Sequence, residues 1–366
     1  MAQFEIRDGV AIIPDGTKKI KECAFLDCTS LKSITIPKSV TYVGFDAFNG
    51  CTSLENITIP EGVTEIGGHA FRGCTSLKSI TIPESVTKIE EYAFKGCTSL
   101  KSITIPKSVV EIGGNVFECC TSLKSITIPK SVTKIGWEAF KGCSSLESIV
   151  VADANPVYDS REGCNAIIET TTNTLIKGCK TTVIPESVTK IGWKAFSGCT
   201  SLEKVIIPES VTEIGGNVFE GCTSLKSIAI PNSVSEIGKW TYYGCTSLES
   251  ITIPNSVTKI EEYAFQNCTS LESIVIPKGV KKIGALAFAR CTSLTTLTLP
   301  TGVNKIDETF LEFSALVTIN VPAKKTDYYK LRLPIQLHDK IVELAPEKKT
   351  KVKKQSILAQ CEIKDG

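Results

Sequence analysis

One stretch constrains this chain more than any other. Cys97-Thr98-Ser99-Leu100-Lys101-Ser102-Ile103-Thr104-Ile105-Pro106 recurs with small changes along most of the 366 residues. The prolines closing the copies are Pro14, Pro37, Pro60, Pro83, Pro106 and Pro129, then Pro185, Pro208, Pro231, Pro254, Pro277 and Pro300, a step of 23 residues within each set. Ile103 and Ile105 flank Thr104, the alternation of a strand with one face inward and one outward. Pro106 has no N–H and fixes φ, so it ends the strand. The other half of the repeat reads Val132-Thr133-Lys134-Ile135-Gly136, then Ala139-Phe140. β-Branched residues around a glycine are poor helix material, so short extended or 3₁₀ pieces are expected on this return side. Gly44, Gly67, Gly113 and Gly136 mark a bend there, but Glu90 and Glu261 share their column, so a left-handed backbone is not obligatory.

A unit this short cannot bury both flanks of its own core, whereas stacked units share one. A period between 20 and 29 containing Leu-x-x-Ile-x-Ile is the pattern of a leucine-rich-repeat solenoid. At a rise of about 4.8 Å per coil, the chain is expected to form a mainly-β coil with a parallel sheet of about 13 short strands. Residues 1–30 read as an N-terminal capping coil in which Phe4 and Ile6 cover the open end. Residues 31–322 read as the solenoid, 323–345 as a C-terminal cap, and 346–366 as a Lys-rich, disordered tail. Within the cap, the spacing from Ile335 to Leu344 suits a short helix. The rhythm breaks once. Pro129 to Pro185 spans 56 residues, one step of 23 and one of 33, which gives a long irregular coil at 150–184. Its apolar pairs Ile167-Ile168 and Leu175-Ile176 read as a β-hairpin on the return side. The extra segment is either a tolerated structural variant or a protruding contact site.

The consensus Cys-Thr-Ser-Leu-x-Ser-Ile-x-Ile-Pro, followed by Ser-Val-Thr-x-Ile-Gly-x-x-Ala-Phe-x-Gly-Cys, resembles the BspA-like branch of the leucine-rich repeats over roughly residues 10–323. The resemblance implies a right-handed solenoid whose parallel sheet lines the concave side. It also implies non-enzymatic protein binding or adhesion, usually at a microbial cell surface, with no catalytic residues to carry over. A secreted or cell-surface location follows from the resemblance alone. Met1 to Arg7 has neither the basic region nor the apolar core of a signal peptide, so an intracellular interaction scaffold stands as the alternative.

The rest of the composition excludes several classes. A net charge of +2 without a basic stripe argues against nucleic acid as partner. No run of 18 apolar residues exists to span a membrane. Two isolated histidines make neither a zinc site nor a catalytic triad. Gly67-Gly68, Gly113-Gly114 and Gly215-Gly216 read as repeat punctuation, and Glu90-Glu91 and Glu261-Glu262 as exposed turn residues. No cofactor and no enzyme activity are expected; the chain is expected to act as a monomer on a protein partner. Of 16 cysteines, those at 28, 51, 74, 97, 120, 143, 199, 222, 245, 268 and 291 keep the repeat period. They are expected to form an inward ladder of reduced thiols, because parallel Cβ vectors suit a disulfide torsion badly. Cys119 lies outside that column and is expected to be exposed and reactive.

Two faces are candidates for binding. The concave face carries Lys32, Ser33 and Thr35, then Lys78, Ser79 and Thr81, Lys101, Ser102 and Thr104, and Lys124, Ser125 and Thr127. It is flat, rich in hydroxyls, and lacks the Trp, Tyr and Arg of typical hot spots. The alternative is an aromatic patch of Trp137, Trp193 and Trp240 with Tyr158 and Tyr243. Glu65, Lys88, Glu111 and Lys134 alternate in sign up the stack, which avoids a like-charge ladder.

Overall fold

In the computed structural model, which describes residues 4–345, each repeat closes one coil of a mainly-β solenoid and offers two short strands to its neighbours. The Lys-rich tail at 346–366 lies outside the described residues. The first ladder is built from segments such as Asn56–Thr58 and Ser79–Thr81, paired parallel with Ile57 opposite Ile80. It runs in short stretches, among them one joining Ser125–Ile128 to Ser148–Val151. Ser102 adds an isolated bridge to Ser125. The proline after each strand removes a donor and limits how far the pairing extends.

The extended pieces expected on the return side pair into a second parallel ladder. Lys19–Ile20, Tyr42–Val43, Glu65–Ile66, Lys88–Ile89, Glu111–Ile112 and Lys134–Ile135 form one continuous six-stranded sheet. Its registers place Glu65 beside Lys88, Lys88 beside Glu111 and Glu111 beside Lys134. The alternation fails farther on, where Lys259, Lys282 and Lys305 are neighbours. There Glu261 supplies the missing charge, its carboxylate accepting from Lys282 Nζ at 2.7 Å. Glu261 is therefore buried, not the exposed turn residue its repeat phase suggested. The glycines of its column mark close approach: a Cβ on Gly113 would come within 2.6 Å of Glu91 N, and no left-handed φ is involved.

A turn arc joins the two ladders. It alternates two kinds of hydrogen bond: Phe48 N donates to Ala70 O of the next coil at 2.8 Å, and Cys51 N to Phe48 O of its own turn at 3.1 Å. Two residues per arc, four apart, take a left-handed backbone, as do Asp46 and Gly50, His69 and Gly73, and Tyr92 and Gly96. Inside the arc the phenylalanines stack coil upon coil, with Phe48 5.2 Å from Phe71 and Phe71 5.5 Å from Phe94. The column thiols point inward as expected and tie each coil to the one before it. Cys51 Sγ donates to Phe25 O at 3.0 Å and Cys74 Sγ to Phe48 O at 3.1 Å. Every cysteine among the described residues is a free thiol.

The long coil interrupts these stacks. Tyr158–Asp159, Ala166–Glu169 and Thr174–Gly178 form antiparallel strands, and the last restarts the return ladder by pairing parallel with Lys190–Ile191. The hairpin exists, but it is no surface protrusion. Ala166, Ile167 and Ile168 are fully buried. Ile167 packs into the core on the N-terminal side, while Ala166 and Ile168 pack into the core on the C-terminal side. The strand is thus a partition between two hydrophobic cores.

At the C-terminus a helix spans Thr326–Lys330 and a 3₁₀ turn spans Ile335–Lys340. The helix expected to reach Leu344 stops early because Ile341–Glu343 joins the first ladder beside Ile319, Asn320 and Val321. Tyr329 is buried in this cap, its hydroxyl donating to Pro300 O. Among the described residues no helix is long and apolar enough to cross a membrane.

Candidate functional site

The turn arc carries the positions that vary most in an otherwise repeated sequence. Its first left-handed position is occupied in turn by Asp46, His69, Tyr92, Asn115, Glu138, Lys194, Asn217, Trp240, Tyr263 and Leu286. For an L-residue that conformation costs about 1–2 kcal/mol, and such outliers are a reason to look for function. The preceding position holds Phe45, Trp137 and Trp193, interleaved with glycines. These glycines are not mere punctuation. A Cβ on Gly114 would meet Trp137 Nε1 at 2.8 Å, and one on Gly68 would meet the Phe45 ring at 3.2 Å, so each leaves room for an aromatic ring of the adjacent coil. The interleaving of Gly with aromatics was the sequence signal for this surface.

The aromatics make a stripe. Phe45 lies 4.8 Å from His69, His69 lies 4.9 Å from Tyr92, and Tyr92 meets Trp137 edge-on at 6.3 Å. Beyond the partition, Trp240 stacks on Tyr263 at 5.1 Å. Where the long coil intervenes, the stacking and hydrogen bonding of the arc are interrupted: among the described residues no ring stacks on the C-terminal side of Phe140, and Ala195 O accepts from Gly178 N, although Gly142 and Gly198 still lie against each other. A cleft of about 260 Å³ opens there. Trp137 and Trp193, each 53% exposed, flank it, and Tyr158 is part of its lining.

The cleft is charged as well as aromatic. Glu138 pairs with Lys194 across the break and with Lys141 at 3.4 Å. Burial pushes the Glu138 carboxyl up, but these two ammonium groups outweigh it and hold the group below the usual carboxylate range. Lys194 Nζ also sits 4.3 Å from the centre of the Trp193 ring, a cation–π contact. A second, shallower groove continues from the same two residues to Asn217, Glu220, Trp240, Tyr243 and Gln266. Tyr158 itself is buried, and its hydroxyl accepts from Ile135 N at 3.3 Å. It is part of the floor, not an exposed contact.

The hydroxyl face is arranged differently. Lys32, Ser33 and Thr35, Lys78, Ser79 and Thr81, Lys101, Ser102 and Thr104, and Lys124, Ser125 and Thr127 are all exposed. Some of their polar groups are used within the face: Lys78 Nζ donates to Glu55 at 2.7 Å and Ser79 Oγ to Asn56 at 2.7 Å.

Comparison with known proteins fits this geometry. The family model for the BspA type leucine rich repeat region matches residues 10–80, 43–161, 173–285 and 214–331. A search of curated proteins gives no significant match. Among solved structures, a leucine rich cell surface protein from Faecalibacterium prausnitzii is 27% identical with a TM-score of 0.62, covering 90% of this chain and 91% of its own. A leucine-rich repeat protein from Eubacterium ventriosum is 25% identical with a TM-score of 0.66, covering 84% and 91%. The pneumococcal vaccine antigen PcpA, at 21% identity, a TM-score of 0.57 and coverage of 87% and 84%, shares the fold. With the repeat consensus, the stacked coils and the family model in agreement over most of its length, the chain belongs to the BspA-type leucine-rich repeat proteins.

Proposed function

We propose that the protein is a non-enzymatic binding module at a bacterial cell surface, acting as a monomer, which grips a protein partner through the aromatic groove of its turn arc. The observation that carries this is the convergence of Trp137 and Trp193 across a gap of 56 residues, with Trp240 and Tyr243 in the adjoining groove. Half-exposed tryptophans around a cleft are the residues from which interface hot spots are made. The cell-surface description of the Faecalibacterium relative supports the location. A second location, inside the cell, is favoured by the free state of every described cysteine, usual in a reducing compartment. Protease treatment of intact producing cells separates the two, because only a surface protein is shaved.

The binding site is tested with the purified chain against a panel of extracellular-matrix proteins. Trp193→Ala is expected to weaken saturable binding at least about 30-fold, about 2 kcal/mol. Lys101→Glu on the hydroxyl face is expected to cost well under 1 kcal/mol. The reverse ranking, with circular dichroism unchanged, moves the site to the hydroxyl face.

A further inference from the structure

Lys177 is a charged side chain of the cleft without a counter-ion. It is only 8% exposed and lies on Thr174–Gly178, next to the partition strand. The polar neighbour of its ammonium is Cys199 Sγ at 3.8 Å. No ion pair joins it to any carboxylate among the described residues, and the nearby carboxylates are engaged elsewhere. Glu138 is shared between Lys141 and Lys194, and Glu169 accepts from Thr172 Oγ1 at 2.5 Å. The cleft is lined by three lysines (141, 177 and 194) and two glutamates (138 and 169); Lys141 also faces Glu118 and Glu220, and Lys194 pairs with Glu138, so Lys177 is the lining lysine without a carboxylate among the described residues. An ammonium removed from water without an anion is costly.

Resting on the protein-binding function above, we propose that the cleft takes the carboxylate of an Asp or Glu side chain of the partner, with Lys177 as its counter-ion and an adjacent apolar group held between Trp137 and Trp193. The volume of about 260 Å³ suits one side chain, being smaller than the roughly 300–1,000 Å³ of drug-sized pockets. One carboxylate suffices as counter-ion for Lys177, whereas a phosphate dianion would bring a second negative charge against Glu138 and Glu169. The tryptophans supply apolar walls for whatever accompanies the carboxylate.

The probes are 3-phenylpropionate and its uncharged amide, read by thermal unfolding of the full chain at neutral pH. The acid is expected to raise Tm in a saturable way by mass action, and the amide is not. Lys177→Met is expected to keep the native circular dichroism, to melt at or above the wild-type temperature without ligand, and to need at least tenfold more acid for half the shift. Lys177→Arg is expected to retain the response, as is Lys101→Met. Equal responses to acid and amide overturn the proposal, as does a wild-type response in Lys177→Met. Should Lys177→Met not fold, the acid–amide comparison and Lys177→Arg still decide. Partner binding that is lost in Trp193→Ala but intact in Lys177→Met sinks the carboxylate site alone. Acid binding without any protein partner sinks only the broader function.

Discussion

At the scale of the residue, the inward thiols show why cysteine and not alanine recurs. Along the regular stack the column Sγ donates to the phenylalanine or tyrosine carbonyl of the preceding coil, as Cys97 does to Phe71 O and Cys268 to Tyr242 O, while at the long coil Cys199 donates to Gly178 O instead. Burial is the largest cause of the raised thiol values and pushes Cys51, Cys97, Cys143 and Cys291 up to about 12. In the unfolded chain the same thiols ionise near the ordinary value of about 8.5. Above that pH the unfolded state has lost protons that the folded state keeps, so stability must fall with rising pH. The contribution is whole below about pH 8.5 and disappears progressively toward pH 12. The melting temperature is therefore expected to drop steeply over that window, and less steeply when Cys97 is replaced by alanine. A thiol reagent at pH 8 should label Cys23 and Cys119, which are exposed, and leave the column from Cys51 to Cys291, which is buried, unmodified until denaturant is added; Cys28 at its end is half-buried. Rapid labelling of the column in the native protein is the outcome that removes the ladder.

At the scale of the element, the long coil depends on one side chain. In regular coils a serine fastens the turn after the proline, as Ser108 Oγ does by donating to Val86 O at 2.6 Å. In the long coil Asn155 takes over, its Nδ2 donating to Pro129 O and Val132 O and its Oδ1 accepting from Val157 N and Tyr158 N, all at 2.9 Å. Asn155→Ala leaves two donors and two acceptors unmet in a half-buried place and is expected to cost about 2–4 kcal/mol in urea unfolding. A loss below about 0.5 kcal/mol would show that water replaces the side chain freely. The regular elements were legible in the sequence because each was written a dozen times: Ile103 and Ile105 fix the strand phase, and Pro106 fixes its end. The second ladder was less legible. A two-residue strand such as Glu111–Ile112 carries no alternation long enough to read, and it exists only because the coil before it presents the same edge. For the same reason the cleft could not be read from the sequence. Trp137 and Trp193 were visible as unusual residues, yet their meeting depends on where the partition strand sits. Lys177 carries no signal in the sequence, because the two-sided burial of its hairpin is a property of the stack, not of the local sequence.

At the scale of the whole molecule, the partition separates two hydrophobic cores and is expected to divide the solenoid into two cooperative halves. In repeat proteins stability is approximately a sum of unit terms and nearest-neighbour interfaces, so the interface that differs from all others is the natural boundary between unfolding units. Here the differing interface holds a strand whose alternate side chains serve different cores, Ile167 on the N-terminal side and Ile168 on the C-terminal side. Both are fully buried, so truncation to alanine is expected to cost about 2–5 kcal/mol in either case. The location of the loss is what distinguishes them. Trp137 reports on the N-terminal half, and Trp240 on the C-terminal half. In single-tryptophan variants, Ile167→Ala is expected to lower the urea midpoint seen by Trp137 more than that seen by Trp240, and Ile168→Ala to do the opposite. Amide exchange should show the same split, with protection lost between residues 31 and 151 in the first variant and between 184 and 322 in the second. If both probes shift together in both variants, the parallel pairing of Thr174–Gly178 with Lys190–Ile191 couples the halves strongly enough that the solenoid unfolds as one unit, and the partition is a feature of packing without a counterpart in cooperativity.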